Sequence, residues 1–270
     1  MPSEDSYMRH SLLLAAIVAM IFLKGPAWGD EPAVSKDKGK KVPETSSKVT
    51  WVCPHIGKQK IQIDGKANEP AWKVAKPLEN FTVLKTLKAP GWLTTAKIAY
   101  DDTNLYIAVD CKIDGIRSTA TKRDDHVFDG EVAELFFCPR GADAFYYEID
   151  FSPKNVVYDC RLESWKYEPQ SKFADKWAAA FNATIESEAV IHENENGDVT
   201  GWAVEAAIPF KDLDIAERRA PPDGEVWLFN VFRGALLKDN KTYELQHWGP
   251  VKPEFHRPHQ FPRLKFVRMP

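Results

Sequence analysis

Two carboxylates set the first chemical question. Glu134 stands in EVAELFF and Glu148 in YYEID, on separate stretches of alternating apolar and polar residues. Acids on neighbouring strands can act as a general acid/base pair or accept hydrogen bonds from hydroxyl groups. Glu131 lies three residues before Glu134, so on one strand the two point to opposite faces and cannot flank a single bond. Each Glu also has a plainer reading as a solvated strand residue. His256 and Arg257, next to Phe255 in FHRPHQFP, are donors on a turn, suited to hydroxyls or a carboxylate, or to capping the loop. A haem would need His or Met at facing positions, which leaves His126 and His256, because the Met residues sit at the two ends of the chain. The acidic group Asp124, Asp125 and Asp129 lacks EF-hand spacing.

These residues are positioned by strands. TTAKIAYDDTNLYIAVDCKID alternates with period two on both sides of Asp101-Asp102-Thr103-Asn104, which predicts a hairpin with a short polar loop. Further strands are expected at KIQID (60–64), Phe81–Leu84, around EVAELFF and YYEID, at Ala179–Glu186, Ala189–His192, GWAVEAAIPF (201–210), EVWLFNVFR (225–233) and Leu264–Val267. Asn68 is placed to cap a short turn containing Pro70, with Trp72 entering the core, and Lys211–Leu213 forms one helical turn. The expected fold is all-β: an antiparallel β-sandwich, immunoglobulin-like or jelly-roll-like, of about ten strands. There is no βαβ pattern, GxGxxG, P-loop or internal repeat.

The 270 residues carry a net charge of −3, which gives no footing for nucleic acid. The apolar run Leu12–Leu23, preceded by Arg9 and followed by Ala27-Trp28-Gly29, reads as a signal peptide over 1–29. It is too short to span a bilayer comfortably, and an uncleaved anchor is the alternative. Residues 30–48 are rich in Lys, Pro and Ser and read as a disordered linker, followed by one domain over 49–270. The expected product is secreted or periplasmic, without stable membrane insertion after cleavage. Four cysteines, Cys53, Cys111, Cys138 and Cys160, permit disulfides in that compartment or simple buried thiols.

IDGKANEPAW, TTAKIAYDDTNLYIAVDCKID, EVAELFF, GWAVEAAIPF, FNVFR and FHRPHQFPRLKF, in that order over about 60–267, resemble the family 9 carbohydrate-binding modules. The resemblance implies a non-catalytic protein that holds a plant-type or other polysaccharide, xylan or cellulose for instance, its chain end included, between two aromatic rings. It places those rings at Phe128 and Phe255, with Glu134 and Glu148 about them, and His256 and Arg257 adjoin the second ring in sequence. Phe stands at both positions where members often carry Trp. Ala133 stands where Val is usual and Pro262 where Gly is usual. Trp92 and Trp165 are spare platforms, while Trp248 reads as core. The resemblance also implies structural calcium on loop oxygens, and no other cofactor. The alternatives are a glycoside hydrolase or accessory protein built on an acidic pair, and a haem-binding electron carrier of the related DOMON type.

Overall fold

The computed structural model describes residues 49–162, 181–237, 242–252 and 254–268. The expected signal peptide and linker, with Trp165, lie outside the described residues. The described residues form twelve strands: β1 (Thr50–Pro54), β2 (Thr82–Val83), β3 (Thr94–Tyr100), β4 (Asn104–Lys112), β5 (Val132–Cys138), β6 (Tyr146–Phe151), β7 (Val157–Leu162), β8 (Glu186–Glu193), β9 (Val199–Pro209), β10 (Val226–Leu236), β11 (Tyr243–His247) and β12 (Arg263–Val267). Among the described residues the helical pieces are single 3-10 turns, such as Pro70–Val74, Val127–Asp129 and Phe210–Asp212. One sheet has eight strands in the order β1-β12-β10-β5-β6-β7, with β11 beside β10 and β2 beside β11. The other has four, β3-β4-β9-β8. Every pairing is antiparallel except that of β1 with β12.

The expected hairpin is β3–β4, with Ile98 opposite Ile107. Asp101 builds its loop by accepting from the amides of Thr103 and Asn104, each at 2.7 Å, the local competition that makes Asp a turn residue. Other expectations are corrected. KIQID forms no strand; the amino-terminal strand is β1, ten residues earlier, because residues 61–74 lie across the outer face of the smaller sheet instead of pairing in it. Asn68 is not the cap of the Pro70 turn. Glu69 holds that position, without a side-chain cap bond. Of the two strands expected at Ala179–Glu186 and Ala189–His192, the second lies within β8, which pairs with β9; residues 181–185 form no strand, and Ala179 and Ala180 lie outside the described residues.

Alternation decides the core. Ile98, Tyr100, Leu105, Ile107, Val109, Trp202, Val204 and Ile208 from the four-stranded sheet meet Leu135, Phe137, Ile149, Phe151, Phe229 and Val231 from the eight-stranded one. The outer faces are covered too. Trp72, Ala71 and Ile56 lie over Tyr106, Ala108 and Ala207 on the smaller sheet. On the larger sheet, Val251, Phe255 and Phe261 lie over Phe136, Tyr146 and Phe232. Burial on both sides is why β5 is closed along its whole length although its sequence alternates.

Two buried acids hold the layers together. Glu205 on β9 accepts from Trp72 Nε1 at 2.6 Å and from the amides of Asp64 and Gly65 at 3.1 and 3.2 Å, so one carboxylate anchors the 61–74 segment. Glu205→Ala should therefore cost about 1–3 kcal/mol in urea unfolding, because three donors lose their acceptor under cover. A change within experimental error would show that water replaces the carboxylate. The second acid, Glu131, meets Arg233 between the sheets. Arg233 Nη2 donates to Glu131 Oε2 at 3.2 Å and to the Lys112 carbonyl at 2.8 Å, and Nη1 donates to Thr94 Oγ1 at 3.1 Å. Glu131 also accepts from the Leu236 amide at 2.7 Å and from Trp202 Nε1 at 3.3 Å. Burial pushes the Glu131 carboxyl up, and Arg233 with the other donors pulls it back. With this many fixed donors, the ion pair is the state that the geometry supports.

Candidate functional site

The outer face of the eight-stranded sheet carries the acids picked out in the sequence. β5 turns Glu134, Phe136 and Cys138 outward, because Leu135 and Phe137 belong to the core between the sheets. Register then fixes the neighbours. Glu134 lies opposite Phe232 of β10 on one side and Asp150 of β6 on the other, and Asp150 lies opposite Tyr158 of β7. One row thus runs Phe232, Glu134, Asp150, Tyr158. The next runs Asn230, Phe136, Glu148, Cys160.

The two predicted rings stand at opposite ends of the first row. Phe255 stacks on Phe232 with centroids 4.2 Å apart and planes at 24°. Phe128 meets Tyr158 edge-on at 5.6 Å and stacks on His126 at 4.9 Å. Glu134 and Asp150 lie between them in the row, and the rings belong to separate apolar clusters. One expectation is corrected here: Phe255 is no surface ring. It is 9 % exposed, because it covers Phe232, which a bare sheet face would leave in water. Phe128 is half-buried.

Nor are the glutamates solvated strand residues. Glu134 is 7 % exposed, Glu148 8 % and Asp150 0 %. An oxygen from each lies within 4.8 Å of the others. Burial, then the charge of Glu148, holds the Glu134 carboxyl well above the usual carboxylate range. Burial carries Glu148 up to about 7, with hydrogen bonding from Cys160 and Asp150 working the other way. Asp150 is raised by burial first and then by both glutamates. His256 sits over this group, its Nδ1 2.8 Å from the Tyr146 hydroxyl and 3.9 Å from Glu148 Oε2. Burial, then Arg257, pushes His256 down to about 3, so it is neutral at pH 7. Arg257 points away into an ion pair with Glu254 at 2.7 Å.

The remaining candidates divide. Asp125 accepts from the amides of Thr121 and Lys122 at 2.8 and 3.1 Å, which makes it part of a turn. Asp124 lies 3.9 Å from Arg123, and Asp129 is raised by burial. Among the described residues these three do not converge; the acids that do are elsewhere. His126 and His256 are engaged with different partners, Phe128 and Tyr146. Trp248 packs on Trp51 and Phe229, as expected of core, and Trp92 packs against the same core. All four cysteines are buried free thiols. Asp150 was not singled out in the sequence, although its i+2 spacing from Glu148 already puts both on one face.

The sequence profile of the carbohydrate family 9 binding domain-like family matches residues 63–261. A search of curated proteins finds no match. Among solved structures, the chain resembles a protein of Bacteroides uniformis ATCC 8492 described as a candidate carbohydrate-binding protein. That match has a TM-score of 0.62 and 15% identity, over 82% of this chain and 100% of that one. It also resembles a carbohydrate-binding module of family 9 from Caldicellulosiruptor kristjanssonii, solved with cellotriose at TM-score 0.57, 12% identity and 82% and 95% coverage. The complex of a module from the same organism and family with glucose gives TM-score 0.56, 11% identity and 82% and 97% coverage. At these identities the structures speak for the fold, while the profile match spans most of the chain. By that match, the chain belongs to the carbohydrate family 9 binding domain-like family.

Proposed function

We propose that this is an exported, non-catalytic protein that takes a polysaccharide chain, its end included, on the outer face of the eight-stranded sheet. The carrying observation is the row in which Glu134 lies between the strand positions beneath two rings, Phe128 and Phe255. A pyranose offers C–H groups to a ring face and hydroxyls at its rim, so rings supply apolar contact and carboxylates fix the hydroxyl pattern. Glu134 and Glu148 are the acceptors and His256 a donor of the rim, and Arg257 joins them only by leaving its ion pair with Glu254. Because Phe255 is covered and stacked, a sugar reaches the acids only when the Phe255–Arg257 segment lifts from Phe232. Cellotriose and glucose, the ligands of the two similar modules, make β-glucan oligosaccharides the first class to test. Export rests on the apolar run Leu12–Leu23 and the small residues that follow it. No described helix is long and apolar enough to cross a membrane.

The clustering of Glu134 and Glu148 is the one observation in favour of a hydrolase. Their oxygens converge on each other and on Asp150, however, and two acids that work on one glycosidic bond must stand on either side of it. Dye-labelled xylan should stay uncleaved by the purified protein. A glycan array that contrasts soluble chain ends with internal segments tests the binding reading itself. Retention of cello- or xylo-oligosaccharides is expected, and silence across the array would overturn it.

A further inference from the structure

We infer that Arg161, with Arg140 and Phe181 beside it, forms a second binding site, one for the carboxylate of an acidic sugar of the uronic acid class. β7 is the last strand in the order of the larger sheet, and Arg161 lies opposite Tyr147 of β6. Tyr147 belongs to the core between the sheets, so Arg161 stands on that face and not on the outer one. Its guanidinium carbon is 4.4 Å from the centre of the Phe145 ring. Arg140, on the turn between β5 and β6, reaches the same ring at 5.7 Å. The protein matches the other arginines that it covers wholly or in part. Arg233 has Glu131 at 3.2 Å, Arg123 has Asp159 at 2.6 Å and Arg117 has Asp114 at 3.7 Å. Arg161 is half-buried, and among the described residues no acid comes within ion-pair distance of it. Its Nε is covered and meets no acceptor.

A half-buried cation without an anion is costly, and the Phe145 ring offsets this only in part, since it offers no oxygen to the N–H groups. A ligand that brings the oxygens fits. A guanidinium set over an aromatic ring is held in place, and its planar fork matches a carboxylate through two parallel N–H bonds. Arg140 adds a second cation, paired with Asp214 at 3.0 Å. Two cations against that one acid leave a net positive charge. Phe181 makes the ligand a sugar acid and not a bare ion. It is half-buried, with its ring centre 4.7 Å from that of Tyr147, the cross-strand neighbour of Arg161. Part of an aromatic ring thus stays open close to the unmatched charge. A pyranose carboxylate offers C–H groups to that ring and two oxygens to the arginine. An inorganic anion would use the second contact alone.

The class of ligand rests on the glycan reading, but the site lies off the outer face, so the two fail separately. The chain from Asp30 onward is titrated by calorimetry with sodium glucuronate, with cellotriose and sodium sulfate as parallel arms. One saturable glucuronate site is expected. Arg161→Gln should weaken glucuronate binding roughly tenfold or more and leave cellotriose unchanged. Phe128→Ala should do the reverse. Should Arg161→Gln fail to fold, Arg140→Gln at its exposed position takes its place and should weaken glucuronate roughly threefold or more. Glucuronate bound through Arg161 with no response to cellotriose would support this site and remove the outer face. No saturable binding of glucuronate by the unaltered chain would overturn the site, as would binding indifferent to both arginines. Sulfate held as tightly as glucuronate would show that the sugar ring adds nothing and overturn the acidic-sugar class.

Discussion

Arg233→Met is expected to destabilise the protein by about 3–5 kcal/mol, the usual cost of removing one partner from a buried ion pair. Arg233 is 0 % exposed and joins β10 to Thr94, the Lys112 carbonyl and Glu131. Its loss strands Glu131 between the sheets with only the Leu236 amide and Trp202 Nε1 as donors. At roughly 2–4 °C per kcal/mol for a domain of this size, the melting temperature should fall by about 10 °C. Adding Glu131→Leu should recover much of the loss, because an apolar pair of similar volume is often neutral or better. Equal damage in the single and double variants would show that the hydrogen bonds to Thr94 and Lys112, rather than the pairing of charges, carry the stability.

The second large effect falls on Phe255. Truncation to alanine exposes the face of Phe232 and opens the cluster with Phe136, Val251 and Phe261. Phe→Ala in a packed cluster costs about 3–5 kcal/mol. Phe255→Leu should recover more than half of this, since most of the apolar volume returns. A free surface ring would instead show almost no loss with either substitution, so urea unfolding of the two variants separates a ring that covers the sheet from one that waits for ligand. If the Phe255 segment must lift to admit sugar, destabilised cover should also speed association, which stopped-flow measurement with a soluble oligosaccharide would detect.

What was readable in the sequence follows from how local each feature is. The β3–β4 hairpin was legible because period-two alternation and an Asp turn are both written within twenty residues. β9, β10 and β12 followed from the same pattern, and Trp72 could be placed in the core. The outer coverings were not legible. Nothing in KIQID says that it lies over a sheet rather than in one, because an extended segment packed on Tyr106 and Ala108 carries the same apolar residues as a strand. The burial of Glu134 and Glu148 escaped for a related reason: their strands alternate, but the carboxyl-terminal segment closes the face that alternation marks as polar. The charge partner of Glu131 lies 102 residues away, a pairing that only the β5–β10 register discloses. The order of the motifs carried the family. It said nothing about Phe255 being shut against Phe232.

The central claim is that sugar is held on the outer face of the larger sheet. Calorimetric titration of cellotriose into the unaltered chain and into Phe128→Ala tests it most directly. Phe128 is the half-buried ring of the pair, so its removal should leave the fold intact by circular dichroism. The account predicts measurable binding by the unaltered chain and a loss of about 5- to 150-fold in the variant, the 1–3 kcal/mol of a lost stacking ring by analogy with base stacking. Identical affinity in the two proteins would contradict it and move the site away from this face.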